Sequence, residues 1–139
     1  MTSAMPSILL VEDDEVDVEA IRRLFARQHI ANPLYVASDG VAALRMLHGE
    51  DHSEMPQPCV IVLDLNLPRM TGIEFLDELR RDAQLKDSVV FVLTTSNSDY
   101  DRVVTHSKYV AGYLLKSDAD ADYSQLIRSL RPVLRFAEN

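Results

Sequence analysis

Cysteine is nearly absent from this sequence of 139 residues: Cys59 stands alone, so neither an intramolecular disulfide nor a cysteine-rich zinc site can form. Cys59 opens an apolar run, where a thiol is expected to be buried and inert. Basic residues are outnumbered, 14 Lys and Arg against 22 Asp and Glu for a net charge of −8, and they form no run and no patch interleaved with aromatics; tryptophan is missing. The electrostatic footprint of a nucleic-acid binder is therefore lacking, and a protein or a cation is the expected partner. No stretch approaches the roughly 18 uncharged apolar residues that span a bilayer, and the opening "MTSAMPS" lacks the basic-then-apolar order of a secretion signal. A soluble, cytoplasmic protein with no nucleic-acid and no membrane partner is the expectation.

What is present is a 47% hydrophobic composition, enough for one globular core. Five short apolar runs recur: "ILLV" (8–11), "LYVA" (34–37), "CVIVL" (59–63), "VVFVL" (89–93) and "GYLL" (112–115). Each has strand length and strand composition. Between them apolar residues take helical spacing: Val18, Ile21, Leu24 and Phe25; Val41, Leu44 and Leu47; Ile73, Leu76 and Leu79; Tyr100, Val103 and Val104; Tyr123, Leu126, Ile127 and Leu130. Five alternations of strand and helix predict an α/β fold, a parallel sheet with helices on both faces. The three continuous runs suit central strands and the runs at 34–37 and 112–115 suit edges. The polar "EDHSEMPQP" (50–58) reads as an exposed loop, and Pro132 as the interruption of the last helix. The expected organisation is an N-terminal tail over 1–6, one domain over 7–131 and a C-terminal tail over 132–139, with no output domain.

In an open parallel sheet, ligands bind at the carboxyl ends of the strands. The first run ends in Glu12, Asp13 and Asp14, the third in Asp64, the fourth in Thr94, Thr95 and Ser96, and the fifth in Lys116. Carboxylates converging from neighbouring strands repel one another unless a cation neutralises them, and oxygen-only ligands favour a hard divalent ion such as Mg²⁺. Adding a hydroxyl and an ammonium equips such a site to hold a phosphoryl group, with Asp64 as a nucleophile able to form an acyl phosphate. Singly, each residue has a plainer reading: Asp13, Asp14 or Asp17 as a helix cap, Asp64 or Thr94 as structural, Lys116 as a solvated surface charge. Their joint occurrence at the ends of the appropriate strands carries the inference.

The stretches "ILLVEDDEVD", "VIVLDLNLPRMTGIEFL", "VVFVLTTS" and "GYLLK" resemble the receiver domain of bacterial response regulators. The resemblance covers about residues 7–131, and its spacing also fits: Thr94 lies 30 and Lys116 52 residues beyond Asp64. It implies a flavodoxin-like, CheY-like (βα)5 fold with strand order 2-1-3-4-5, the order of CheY itself. By the same resemblance Asp64 is the phosphoacceptor. Asp13, Asp64 and the backbone carbonyl of Asn66 bind Mg²⁺ or Mn²⁺, with Glu12 acting through water. Asp14 falls at the start of the first helix. Thr94 is the switch hydroxyl, Thr95 the small-residue position that admits the phosphoryl group, Lys116 the phosphate-binding lysine, and Tyr113 the aromatic that turns with the switch. One departure is Ser117 where the family commonly has a proline after a cis bond; a cis bond before Ser costs about 2.5–4 kcal/mol, so the loop either bears that cost or takes another course. Pro68 presets a turn, and Gly72 permits a close approach or an unusual backbone.

The resemblance further implies a partner histidine kinase donating from a phosphohistidine. Output follows through the face made by the fourth helix, fifth strand and fifth helix, toward a partner protein, a downstream phosphotransfer protein or a second copy. "LDLNLP", "LTTS" and "LLKS" are similar to regulators that accompany bacterial phytochrome kinases, which adds a homodimer to the expectations, with Val133, Leu134 and Phe136 as further apolar interface. Such a protein is not an enzyme beyond its own phosphorylation and dephosphorylation. An aspartate-nucleophile phosphohydrolase would carry a second acid where Asn66 stands, and a nucleoside-triphosphatase would need a GxxxxGK[ST] loop that is absent. A phosphate-independent scaffold is the remaining alternative.

Overall fold

The computed structural model describes residues 5–50, 56, 58–116 and 123–137. Five strands, β1 (Ser7–Val11), β2 (Leu34–Ala37), β3 (Cys59–Leu63), β4 (Val89–Thr94) and β5 (Gly112–Leu115), alternate with helices α1 (Glu15–Arg27), α2 (Gly40–His48), α3 (Gly72–Arg81), α4 (Asp99–Ser107) and α5 (Ser124–Leu130). All strand pairs are parallel and the order is β2-β1-β3-β4-β5, a flavodoxin-like, CheY-like sheet. The two less continuous runs are the edges. No described helix is long and apolar enough to cross a membrane.

Alternation along the strands divides the core in two. Leu9, Val11, Ile61, Leu63, Val90 and Val92 pack with Phe75, Leu76 and Leu79 of α3, whereas Ile8, Leu10, Val60, Val62 and Leu93 pack with Ile21, Leu24 and Phe25 of α1 and with Leu126, Ile127 and Leu130 of α5. Each such burial is worth about 1.5–3 kcal/mol, so β1 and β3, buried on both faces, are the least movable part of the molecule. Four helices begin on a side chain that accepts a backbone N–H: Asp14, Asp39, Thr71 (with Glu74 in a capping box) and Ser98. Asp14 is thus at the start of α1, as expected.

Three features depart from the expectations. Two of the three apolar residues expected inward on α4 face solvent: Tyr100 is 71% and Val103 69% exposed, while Val104 is half-buried and Thr105 buried. Asp101, Thr105 and Lys108 turn inward at i, i+4 and i+7 instead, because Ser96 Oγ bonds Asp101, Thr105 Oγ1 donates to the Asp101 carbonyl at 2.8 Å, and Lys108 pairs with Asp77 of α3. Next, Pro132 does not end helical geometry at Arg131, which keeps φ −48° and ψ −42°; the chain tightens into a 3-10 turn, Arg131–Val133, whose first positions need no N–H donor. Beyond it, residues 133–137 of the segment expected as a tail are tied down, and 138–139 lie outside the described residues. Asn32 donates to the Pro6 and Val133 carbonyls and accepts from Arg135 N, Ile30 bridges Phe136, and Leu134 is 5% exposed, which leaves Leu134 unavailable as interface.

Cys59 is half-buried, and burial pushes its thiol up to about 11, so it stays protonated and unreactive near neutrality. Residues 1–4 of the N-terminal tail, residues 51–55 and 57 of the polar stretch, and Ser117, with the geometry of the Lys116–Ser117 peptide, lie outside the described residues.

Candidate functional site

The strand registers bring the carboxyl ends to one rim: Val11 lies beside Ala37 and Leu63, Leu63 beside Val92, and Thr94 beside Leu115. The residues that follow inherit that alignment. Glu12 N donates to the Ala37 carbonyl at 3.0 Å and Asp64 N to the Val11 carbonyl at 3.1 Å, which extends the ladder by one residue on each side. Glu12 is 2% and Asp64 5% exposed, whereas Asp13 is exposed. One oxygen from each of these three carboxylates lies within 4.8 Å of the others.

Lys116 closes the site. Its Nζ donates to Glu12 Oε1 at 2.6 Å, to Asp17 Oδ2 at 2.8 Å and to Asp64 Oδ2 at 3.1 Å. Its backbone N–H donates to the Thr94 carbonyl at 2.8 Å, so β4 positions the lysine as well as β5. Burial acts to lower the Lys116 pKa, but the bonds from Asp17 and Glu12 and the charge of Asp64 outweigh it, and the net direction is upward. Lys116 is therefore a fixed cation. Glu12 moves the other way from a typical paired acid: burial is the largest influence and raises it to about 7, against the bond from Lys116 and with the charge of Asp64 adding to the rise.

That shift has a testable sign. Between the ordinary 4.5 and about 7, folded protein without metal holds a proton on Glu12 that the unfolded chain has lost, so its stability falls as pH rises through this window. Urea midpoints measured across the window are expected to decline more steeply for the wild type than for Glu12→Gln, which has no proton to lose; parallel profiles would refute the assignment.

The remaining expected residues stand around this cluster. Asp64 Oδ1 accepts from Asn66 N at 3.1 Å, and Asn66 Nδ2 donates to Thr95 Oγ1 at 3.2 Å, which links the ends of β3 and β4 at the solvent-facing mouth. Thr94 is fully buried, its hydroxyl accepting from Ser96 N at 3.3 Å. Tyr113 is one step removed: its hydroxyl donates to the Ser96 carbonyl at 2.9 Å, and the Arg102 guanidinium lies 4.9 Å from its ring centroid. The structure thus gathers Glu12, Asp13, Asp64 and Lys116 directly, with Asn66 and Thr95 at the mouth and Thr94 and Tyr113 on the α4 side. It also brings in Asp17, which the sequence offers only as a helix cap, through its bond to Lys116.

The donor set suits a hard divalent cation. Three oxygen ligands converge, and among the described residues one largely buried ammonium is paired with them, which leaves negative charge for a metal to neutralise.

Comparison with known proteins agrees with this fold. Residues 8–128 match the family model described as the response regulator receiver domain. Response regulator Rcp1 from Synechocystis sp. is 34% identical over 124 residues, covering 88% of this chain and 84% of that protein. The crystal structure of its Mn²⁺-bound form superposes with a TM-score of 0.80, at 34% identity over 91% of each chain. The phosphorylated cyanobacterial phytochrome response regulator RcpA gives a TM-score of 0.77, at 31% identity over 94% of this chain and 91% of that one.

Proposed function

The chain belongs to the response regulator receiver domain family of two-component signalling, and we propose that it accepts a phosphoryl group from a phosphohistidine of a sensor histidine kinase onto Asp64. The observation that carries the proposal is the placement of Asp64: a nearly buried carboxylate at the end of a rigid central strand, 3.1 Å from a fixed ammonium and within 4.8 Å of two further acids. An Asp64 oxygen attacks phosphorus as the P–N bond of the phosphohistidine breaks, and the imidazole leaves with its electron pair and takes up a proton. Lys116 and the Thr94 hydroxyl bind phosphoryl oxygens, and Thr95 borders the entry. Asp13, Asp64 and the Asn66 carbonyl would hold Mg²⁺, or Mn²⁺ in its place, with Glu12 acting through water. The bound ion supplies charge neutralisation for the reacting oxygens. That similar proteins have been captured with Mn²⁺ and in phosphorylated form supports this reading.

Withdrawal of Thr94 toward the phosphoryl group frees space for the Tyr113 ring, now held by the Ser96 carbonyl. The face of α4, β5 and α5 then changes its preference among partners. Support comes from a groove of about 440 Å³ beside β5, lined by Arg102, Val103, His106 and Tyr113, and from the outward-facing Tyr100 and Val103. The partners are a kinase of the bacterial phytochrome type, a second copy of the chain through this face, and a downstream phosphotransfer protein, all in the cytoplasm. The protein's chemistry is limited to gaining and losing its own phosphoryl group.

Incubation with acetyl phosphate and Mg²⁺ tests the proposal. Intact mass is expected to rise by one phosphoryl group in the wild type, and not in Asp64→Asn or without metal. No gain by a folded wild type would leave a phosphate-independent binding module as the function.

A further inference from the structure

Asp17 belongs to the first turn of α1 and lies outside the acidic trio, yet its bond to Lys116 is shorter than that of Asp64. Its other oxygen, Oδ1, accepts from the Tyr123 hydroxyl at 3.2 Å. Tyr123 immediately precedes α5, sits at φ 55°, and provides no side-chain cap. Its carbonyl accepts from Leu126 N at 3.1 Å and Ile127 N at 3.3 Å, the first bonds of that helix. A left-handed conformation at a bulky residue persists only when its surroundings hold it, and here the ring packs against the α1–α5 core while its hydroxyl is held by Asp17. Burial, and then the Asp17 charge, raise the Tyr123 pKa, so the hydroxyl keeps the proton it donates. One carboxylate therefore ties the ammonium of the site to the start of α5.

An ammonium has three N–H donors, and each has a different carboxylate as its acceptor. A phosphoryl oxygen arriving at Lys116 must take the place of one of them. Glu12 is 2% exposed and, if released, would keep only the Asp14 N–H at 3.2 Å and a link through water to the metal, and Asp64 carries the phosphoryl group itself. Asp17 has a side chain 22% exposed, lies near the α1 N-terminus where negative charge is favoured, and keeps a second donor in Tyr123. Its release costs least.

We infer that Asp17 is a positioning residue that gives up Lys116 when a phosphoryl oxygen arrives, and that it passes this exchange through Tyr123 to the first turn of α5. The inference rests on the phosphorylation of Asp64 proposed above. The route runs on the α1–α5 side of the sheet, separate from Thr94 and Tyr113, and gives α5 its own report of the state of the site.

Amide hydrogen exchange at Leu126 and Ile127 tests it, in the wild type, Asp17→Asn and Tyr123→Phe, each with and without acetyl phosphate and Mg²⁺, with intact mass recording uptake and Ile61 in β3 reporting that the fold is intact. In phosphorylated wild type the exchange rate at these two amides is expected to change by about threefold or more, as for loss or gain of part of one hydrogen bond. In both variants the change is expected to vanish in the fraction of protein that intact mass shows to be phosphorylated. An equal change in either variant, or none in phosphorylated wild type, would overturn the relay. If the wild type takes up no phosphoryl group, the proposed function fails instead, and the relay is decided in the resting protein: faster exchange at Leu126 and Ile127 in Asp17→Asn sustains the link to α5, and unchanged exchange removes it.

Discussion

Lys116→Met is expected to destabilise the metal-free protein by about 3–5 kcal/mol near pH 8, the range found when one partner of a buried ion pair is removed. The loss does not come from three separate salt bridges. It comes from what is left behind: Glu12 and Asp64, nearly buried and close enough to repel, with Asp17 beside them and no other cation paired with them among the described residues. Methionine keeps most of the lysine stem's apolar contact, so packing contributes little to the difference. The same argument sets the dependence on conditions. Without the ammonium, the Glu12 carboxyl, already raised by burial, loses the bond that held it down, so the folded variant keeps its proton to higher pH and recovers stability as pH falls. The gap to the wild type should therefore narrow between pH 8 and pH 5, and narrow again at pH 8 when Mg²⁺ is added, if the trio holds that ion. Urea unfolding at the two pH values, with and without Mg²⁺, measures all of this. A deficit that stays constant with pH would mean that packing, not charge, explains the loss.

Residues whose neighbours are close in sequence, or whose burial is complete, were the legible ones. "ILLV" and "CVIVL" stand out because a strand covered on both faces needs an apolar residue at every position, and Glu12 and Asp64 stand out because each breaks such a run at its end. Helix α4 was legible as a helix but not in its rotation. With few large apolar residues, its orientation is decided by Ser96–Asp101 and Lys108–Asp77, contacts that no periodicity contains. The C-terminal segment escaped for a similar reason: Asn32 holds Val133 and Arg135 across separations of 101 and 103 residues, and no local pattern encodes such a tie. Asp17 was the most deceptive, since an acid in the first turn of a helix already has a sufficient explanation in the helix dipole. Its bonds to Lys116 and Tyr123 depend on β5 and α5 meeting α1, which is a property of the fold.

Gly72 is the position where fold and site cannot be separated, and Gly72→Ala should damage both. A Cβ there would lie 2.6 Å from the Leu65 Cα and 2.7 Å from the Asp64 carbonyl oxygen, both backbone atoms, which cannot swing aside as a side-chain end can. Alanine ordinarily gains about 0.5–1 kcal/mol over glycine within a helix, but overpacking typically costs about 1–3 kcal/mol, and relief here requires moving the chain at Asp64. The Gly72 N–H bond to the Leu65 carbonyl at 2.9 Å, which draws α3 against the end of β3, would stretch in the same movement. A carboxylate displaced by about 1 Å can lose on the order of a hundredfold in rate, so the rate of phosphoryl uptake from acetyl phosphate should fall by about that factor even in fully folded protein. Gly40→Ala is the matched control. Its Cβ would meet the Met70 Sδ at 2.9 Å, the flexible part of a side chain able to repack, so both stability and uptake should stay close to wild type. Urea midpoints and single-turnover uptake rates for the two variants separate the cases. A folded Gly72→Ala protein with the wild-type rate would show that the loop after β3 absorbs the added methyl without moving Asp64, and that the close approach serves packing alone.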